Sequence, residues 1–162
     1  MKDQRPEPAN EKCIRRVLHQ DRDEINRLRI TEFNRSDNFL LIKPEKLLWG
    51  VNDERNVVLA AWDADGCAVS TMRAVTVKNI QEAQSCLECF LPEEIVYPVV
   101  VFNSAATYKH YRRQGLNQAI RYYFLKSALS ADIQTLISPI YLGAPRIRFM
   151  KQLGYRFVES EK

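Results

Sequence analysis

Apolar and polar positions along this chain follow two periods, and the switches between them mark out the elements. Residues 13–18 read as a first strand, with Cys13-Ile14 and Val17-Leu18 flanking Arg15-Arg16. Asp21, with Glu24 three residues on, has the pattern of a capping box, and Ile25, Leu28 and Phe33 give the helix behind it an apolar side. Residues 34–38 are a polar stop. Residues 39–49 mix apolar positions with Lys43-Pro44-Glu45, which suits a loop and a short helix after Pro44. Residues 57–62 are apolar and β-branched, Asp63-Ala64-Asp65-Gly66 is a turn signal, and residues 67–77 form a second long run. These two runs should pair antiparallel.

In residues 79–91 the period becomes helical through Ile80, Ala83, Leu87 and Phe90, and Pro92 closes the stretch. Residues 97–105 are apolar on both faces, the pattern of a covered central strand. Leu116, Ala119, Ile120, Tyr123, Phe124 and Leu129 form the stripe of a long helix, and residues 135–138 form a short strand stopped by Pro139. Gly143-Ala144-Pro145 opens a last helix, in which Ile147, Met150 and Leu153 share a face and Gly154 sits at the cap position. Residues 155–158 read as a closing strand. The first half therefore pairs strands by a hairpin, and the second alternates strands with helices. The fold class this predicts is α/β: one mixed central sheet with helices on both faces. Residues 1–12, polar and proline-containing, are expected to be a disordered tail ahead of a single domain over 13–162.

Composition narrows the partners. The chain has 162 residues, 46% of them hydrophobic and 27% charged, and a net charge of +4. That is the make-up of a globular domain with a real core. No apolar run reaches the roughly 20 residues needed to span a bilayer, and the N-terminus carries no apolar signal core, so a cytoplasmic location is expected. The surplus charge suits an anionic small ligand and is too mild for a nucleic-acid face. Cys86 and Cys89 form a lone Cys-x-x-Cys pair, and His19 and His110 are isolated, so no metal is expected. Cys13 and Cys67, in apolar runs, read as small core residues.

The chemistry concentrates in Tyr108-Lys109-His110-Tyr111-Arg112-Arg113-Gln114-Gly115-Leu116-Asn117-Gln118-Ala119. A strand, a basic glycine-containing turn and a helix in this order build an anion site. The first helical N–H groups lack internal acceptors, the helix dipole adds positive charge, and arginines add more. Glycine lets the backbone approach a phosphate without a Cβ in the way. A basic helix start that binds nothing is the plain alternative.

Two segments carry a family resemblance. Arg112-Arg113-Gln114-Gly115-Leu116-Asn117 resembles the Arg/Gln-x-x-Gly-x-Gly/Ala pyrophosphate loop of the Gcn5-related N-acetyltransferase (GNAT) superfamily. Phe149-Met150-Lys151-Gln152-Leu153-Gly154-Tyr155-Arg156-Phe157 resembles its Phe-Tyr-x-Lys-Leu-Gly-Phe segment. The resemblance implies an N-acyltransferase using acetyl-CoA or another acyl-CoA, with a small-molecule or peptide amine as acceptor. It implies backbone amides of Arg113, Gln114, Gly115, Leu116, Asn117 and Gln118, with the charge of Arg112, around the pyrophosphate. A strand splayed from its neighbour would hold the pantetheine arm through Ala105, Ala106 and Thr107. A homodimer is common in that superfamily. Asn117 stands where the family has Gly or Ala. Met150 stands where many members carry a proton-donating tyrosine, and methionine has no proton to give. Tyr141 and Tyr155 are the stand-ins, and the general base is unassigned.

A finer resemblance lies in the front half. Leu28-Arg29-Ile30-Thr31-Glu32-Phe33 and Ser70-Thr71-Met72-Arg73 resemble segments of the acyl-homoserine-lactone synthases and long-chain N-acyl amino acid synthases. That branch implies a longer acyl group delivered by acyl carrier protein, with Arg29, Phe33 and Arg73 on the substrate side. A CoA-binding regulatory module without catalysis is the remaining expectation, and Met150 is its motive.

Overall fold

In the computed structural model, residues 14–35, 44–87, 91–92, 94–140, 144 and 146–158 are described. The hairpin forms where the turn signal stands. Strand β2 (Val57–Trp62) runs antiparallel to β3 (Ala68–Val77), with Leu59 opposite Met72. Asp63 closes the turn, its Oδ1 accepting the N–H groups of Asp65 and Cys67. Cys67 is therefore a turn residue and exposed, which corrects its reading as a core residue.

The short β1 (Ile14–Arg16) adds to β2 antiparallel, β4 (Val99–Thr107) adds antiparallel to β3, and β5 (Thr135–Ile137) adds parallel to β4. The result is one five-stranded mixed sheet in the order β1-β2-β3-β4-β5. Strand alternation sorts side chains onto two faces. Val58, Ala60 and Trp62 pack with Ile25 and Leu28 of α1 (Arg22–Asn34). Leu59 and Ala61 pack on the other face with Leu116, Ile120 and Phe124 of α4 (Leu116–Ser130). Between them come α2 (Val51–Arg55) and α3 (Ile80–Leu87), whose Ala83 is buried with Val77, Val99 and Val101. The last helix is α5 (Ile147–Gln152). Each large apolar side chain so buried contributes about 1.5–3 kcal/mol.

Three boundaries differ from the pattern. The predicted capping box does not form. Asp21 instead turns its carboxylate back to the Leu18 N–H, at 2.9 Å, and to Arg15, while Glu24 pairs with Arg27. The stretch after Pro44 is a single 3₁₀ turn, and α2 starts later, at Val51. Residues 155–158 form no strand: Arg156, Phe157 and Val158 are exposed, and the Tyr155 N–H returns to the Met150 carbonyl at 3.2 Å. The predicted opening of the last helix at Gly143 and Pro145 lies outside the described residues.

Candidate active site at the parting of two strands

Strand β4 carries the site because its two edges behave differently. On the β3 side the pairing runs to its end, but the register shifts. Thr71 faces Ala106 while Arg73 faces Asn103, so β4 holds one extra residue there. Ser104 takes it up with φ at +50°, a bulge in the left-handed region. The bulge resets the alternation, so Phe102 and Ala105 face the α4 side and Ala106 faces the α1 side. On the β5 side the pairing ends at Val101↔Ile137. From Phe102 to Thr107, β4 has no β5 partner among the described residues. Its backbone groups on that edge face an opening at the carboxyl ends of two parallel strands, the usual place for a ligand in such sheets.

Arg121 sits where the strands part. It lies one position after Ile120 in the apolar stripe of α4 and is 2% exposed. Its Nε donates to Asn117 Oδ1 at 3.0 Å, its Nη2 donates to Ser138 Oγ at 3.1 Å, and its guanidinium lies 5.5 Å from the Phe102 ring centroid. Burial lowers its pKa, against the pull of the Tyr155 phenol. Phe102 and Ser138 are the first residues beyond the β4–β5 ladder, so this buried cation bridges the branches of the opening. The same contacts explain Asn117: its side chain is engaged one turn along α4, toward Arg121.

The turn behind β4 is pinned at several points. The Tyr108 N–H donates to the Val69 carbonyl, Lys109–Tyr111 forms a 3₁₀ turn, and Tyr111 Oη donates to Asp63 Oδ2. Glu32 of α1, 4% exposed, accepts from the Lys109 N–H (3.1 Å), Arg112 Nη2 (2.6 Å) and Arg35 Nη1 (3.2 Å). Arg112 Nε also donates to the Thr107 carbonyl at 3.3 Å. Arg113 and Gly115 then take positive φ, +65° and +76°, and α4 begins at Leu116. The backbone amides from Arg113 to Gln118 have no acceptor among the described residues. A compact set of free N–H donors at a helix start, with arginines alongside, can hold a phosphate.

The other sequence-predicted residues fall in distinct places. Arg29 is fully buried, donating from Nη2 to Asp53 Oδ1 at 2.7 Å and from Nη1 to the Leu47 carbonyl. Arg73 donates from Nη1 to Asp53 Oδ2 at 3.1 Å and from Nε to Asn103 Oδ1 at 2.8 Å. Burial lowers its pKa while Asp53 pulls the other way. The two arginines thus form an internal triad around Asp53, which ends on the residue before the Ser104 bulge. Phe33 is half-buried, and Met150 is 1% exposed. Tyr155 is half-buried with its hydroxyl enclosed. Tyr141 lies outside the described residues. Periodicity gave no sign of Asp53, Glu32 or Arg121 as site residues: Arg121 flanks the apolar stripe of α4 without breaking it. Among the described residues no group of His, Cys, Asp and Glu could hold a metal, and no helix is long and apolar enough to cross a membrane.

No protein-family model matches the chain, and no curated protein matches it. Solved structures do match. The BH1408 protein from Bacillus halodurans, solved as a point mutant, is 17% identical with a TM-score of 0.67, over 92% of this chain and 96% of that one. The aminoglycoside antibiotic 6'-N-acetyltransferase AAC(6')-IG from Acinetobacter haemolyticus is 17% identical with a TM-score of 0.60, over 92% of each chain. AAC(6')-Iy, solved in complex with the bisubstrate analog CoA-S-monomethyl-acetylneamine, is 16% identical with a TM-score of 0.60, over 92% of both chains. The likeness is one of fold: the mixed sheet flanked by helices is the GNAT acyltransferase fold.

Proposed function

We propose that this protein is an N-acyltransferase that moves an acetyl or longer acyl group from acyl-CoA to an amine by direct attack. One conjunction supports the reading above all. The β4 edge freed beyond Val101 leads straight into the unpaired amides of Arg113 to Gln118. A thioester arm and its pyrophosphate need those two features in that order. That an enzyme of this fold has been solved with a CoA bisubstrate analog agrees with it.

In this reading the amides of Arg113, Gln114, Gly115, Leu116, Asn117 and Gln118 hold the pyrophosphate, with Arg112 alongside on Glu32. The backbone of Ala105, Ala106 and Thr107 lies along the pantetheine arm. A β4 N–H near the Ser104 bulge polarises the thioester carbonyl, as fixed donors do where charge develops. The acceptor nitrogen, attacking as the neutral amine, forms the new C–N bond, the C–S bond breaks, the nitrogen gives up one proton to solvent, and the departing thiolate takes one up. Met150 has none to give. Tyr155, enclosed beside Arg121, and Tyr141 are the candidates for donating it. Holding amine and thioester in register supplies much of the rate, since such positioning reaches effective molarities of about 10⁵ M or more.

A CoA-binding module without turnover is the second reading, and the buried thioether of Met150 favours it. The deciding experiment pairs thermal shift, using CoA, acetyl-CoA and a long-chain acyl-CoA, with thiol release over an amine panel. Stabilisation by every CoA species and turnover with some amine is expected. Stabilisation without turnover selects the module, and absence of any shift sinks both readings. Preference for a long chain, or for acylated carrier protein as donor, would assign the chain to the longer-acyl branch.

A further inference from the structure

A second charged site lies beside the turn, outside the amide cradle. A cavity of about 500 Å³ is lined by Glu32, Arg35, Lys109, His110 and Arg112. Its lining sets three permanent cations against a single carboxylate. That carboxylate is the least exposed member of the group and is already shared among the Lys109 N–H and two guanidiniums. Glu32 therefore acts as an anchor: it fixes where the Arg35 and Arg112 guanidiniums stand while taking only part of their N–H donors. The Lys109 ammonium and the His110 ring have no partner among the described residues. Fixed guanidiniums, a free ammonium and an imidazole around one hollow are complementary to an oxyanion with more than one charge.

We propose that this pocket binds a phosphate-class oxyanion, separate from the pyrophosphate held by the amides of Arg113 to Gln118. Two sources share that chemistry. One is the 3′-phosphomonoester of the coenzyme, whose ribose would lie near Arg112, the residue common to both sites. The other is a phosphate on the acceptor. The first source rests on the acyl-CoA reading; the second stands without it.

The test is isothermal titration of CoA, 3′-dephospho-CoA and sodium phosphate into the wild type, Lys109→Ala and Arg35→Ala/Lys109→Ala. Gly115→Val serves as the pyrophosphate-loop control. Lys109 and Arg35 are exposed, and the Lys109 backbone bond to Glu32 survives both changes, so the variants should stay folded. If the coenzyme is the source, wild type binds CoA about tenfold more tightly than 3′-dephospho-CoA, and the double variant erases that difference. The affinity for 3′-dephospho-CoA then stays as in wild type. If the acceptor is the source, the two coenzymes bind alike. Phosphate then binds the wild type alongside CoA, and the double variant about tenfold more weakly. Phosphate binding that depends on Lys109, with no CoA binding by any variant, would overturn the acyl-CoA reading and keep the pocket. Equal affinities of the double variant and the wild type for all three probes would overturn the pocket.

Discussion

Removing the carboxylate of Asp53 should be the most damaging single change in the described part of the chain. Asp53 is 1% exposed at its side chain and stands between Arg29 (0%) and Arg73 (10%), with its two oxygens divided between them. It also accepts the Gly50 N–H at the start of α2, at 3.1 Å. The triad carries one net positive charge. Asp53→Ala raises that to two buried guanidiniums with no counter-ion, and stripping one partner from a buried pair costs about 3–5 kcal/mol. A domain of this size unfolds with roughly 5–15 kcal/mol to spare, so much of its stability is at stake. At about 2–4 °C per kcal/mol, the midpoint should fall by roughly 6–20 °C. Arg29→Met sharpens the argument, because it leaves Asp53 and Arg73 as a neutral pair and fills much of the same volume. It should cost clearly less than Asp53→Ala. Urea unfolding of both variants, followed by circular dichroism, measures the difference. An Asp53→Ala variant within about 1 kcal/mol of wild type, or an Arg29→Met variant as damaged as Asp53→Ala, would refute the reasoning.

Substitutions at three positions probe the site, and the reactivity of two thiols probes their surroundings. Gly115 has φ at +76°, and a Cβ there would meet nothing within 4 Å, so substitution strains the backbone without a clash and costs about 1–2 kcal/mol. Coenzyme binding by thermal shift should weaken in the order Asn, Ala, Val, because Asn tolerates that conformation best; equal shifts for all three would contradict this. Glu32→Ala unties the Lys109 N–H, Arg112 and Arg35, and should cost about 1–3 kcal/mol and weaken CoA binding more than Glu32→Gln does; calorimetry showing unchanged affinity would argue against the clamp. Burial pushes the Cys86 thiol above its usual range, and neighbouring Asp63 does the same for Cys67, so both stay protonated at neutral pH. Peptide-resolved alkylation should be slow at pH 7 and still climbing with pH where an ordinary thiol, with a pKa of about 8.5, has levelled off; fast labelling of either at pH 7 would be the contrary result. Arg121→Met should change stability by less than about 2 kcal/mol, since a well-packed apolar side chain replaces a desolvated charge. It should nevertheless weaken CoA binding, and a variant that binds as wild type does would remove Arg121 from the opening.

The sheet was legible because its strands announce themselves. The β2–β3 hairpin needed only two apolar runs around Asp63-Ala64-Asp65-Gly66, and β4 only a run apolar on both faces. The turn from Tyr108 to Gln118 was legible for a different reason: an unpaired helix start and a glycine at positive φ are local properties, set within a few residues. What stayed hidden depends on partners distant in sequence. Glu32 reads as one more polar residue on α1 until the chain brings Lys109 and Arg112 to it, 77 and 80 residues later. Arg29 and Arg73 read as candidate substrate grips, because nothing local says that Asp53 will close between them. The run at 155–158 shows the opposite failure. Its β-like composition pairs with no strand among the described residues, and a strand exists only with a partner.

These hidden residues have one thing in common: each buried charge borders the end of β4. The Asp53 triad reaches Asn103 at the bulge, Arg121 spans Phe102 and Ser138 at the opening, and Glu32 holds the turn that follows Thr107. Burying charges is a poor way to gain stability, because desolvation takes back most of the attraction. It is an effective way to fix geometry, since a charged group with directional partners has few alternative arrangements. A strand edge left open and a bulge left in a left-handed conformation are both states that ordinary ladder pairing would erase. The polar contacts hold them open from three sides: the α1 face, the α4 face and the turn. The apolar core thus accounts for the sheet, and the buried charges account for the place where the sheet is kept from closing.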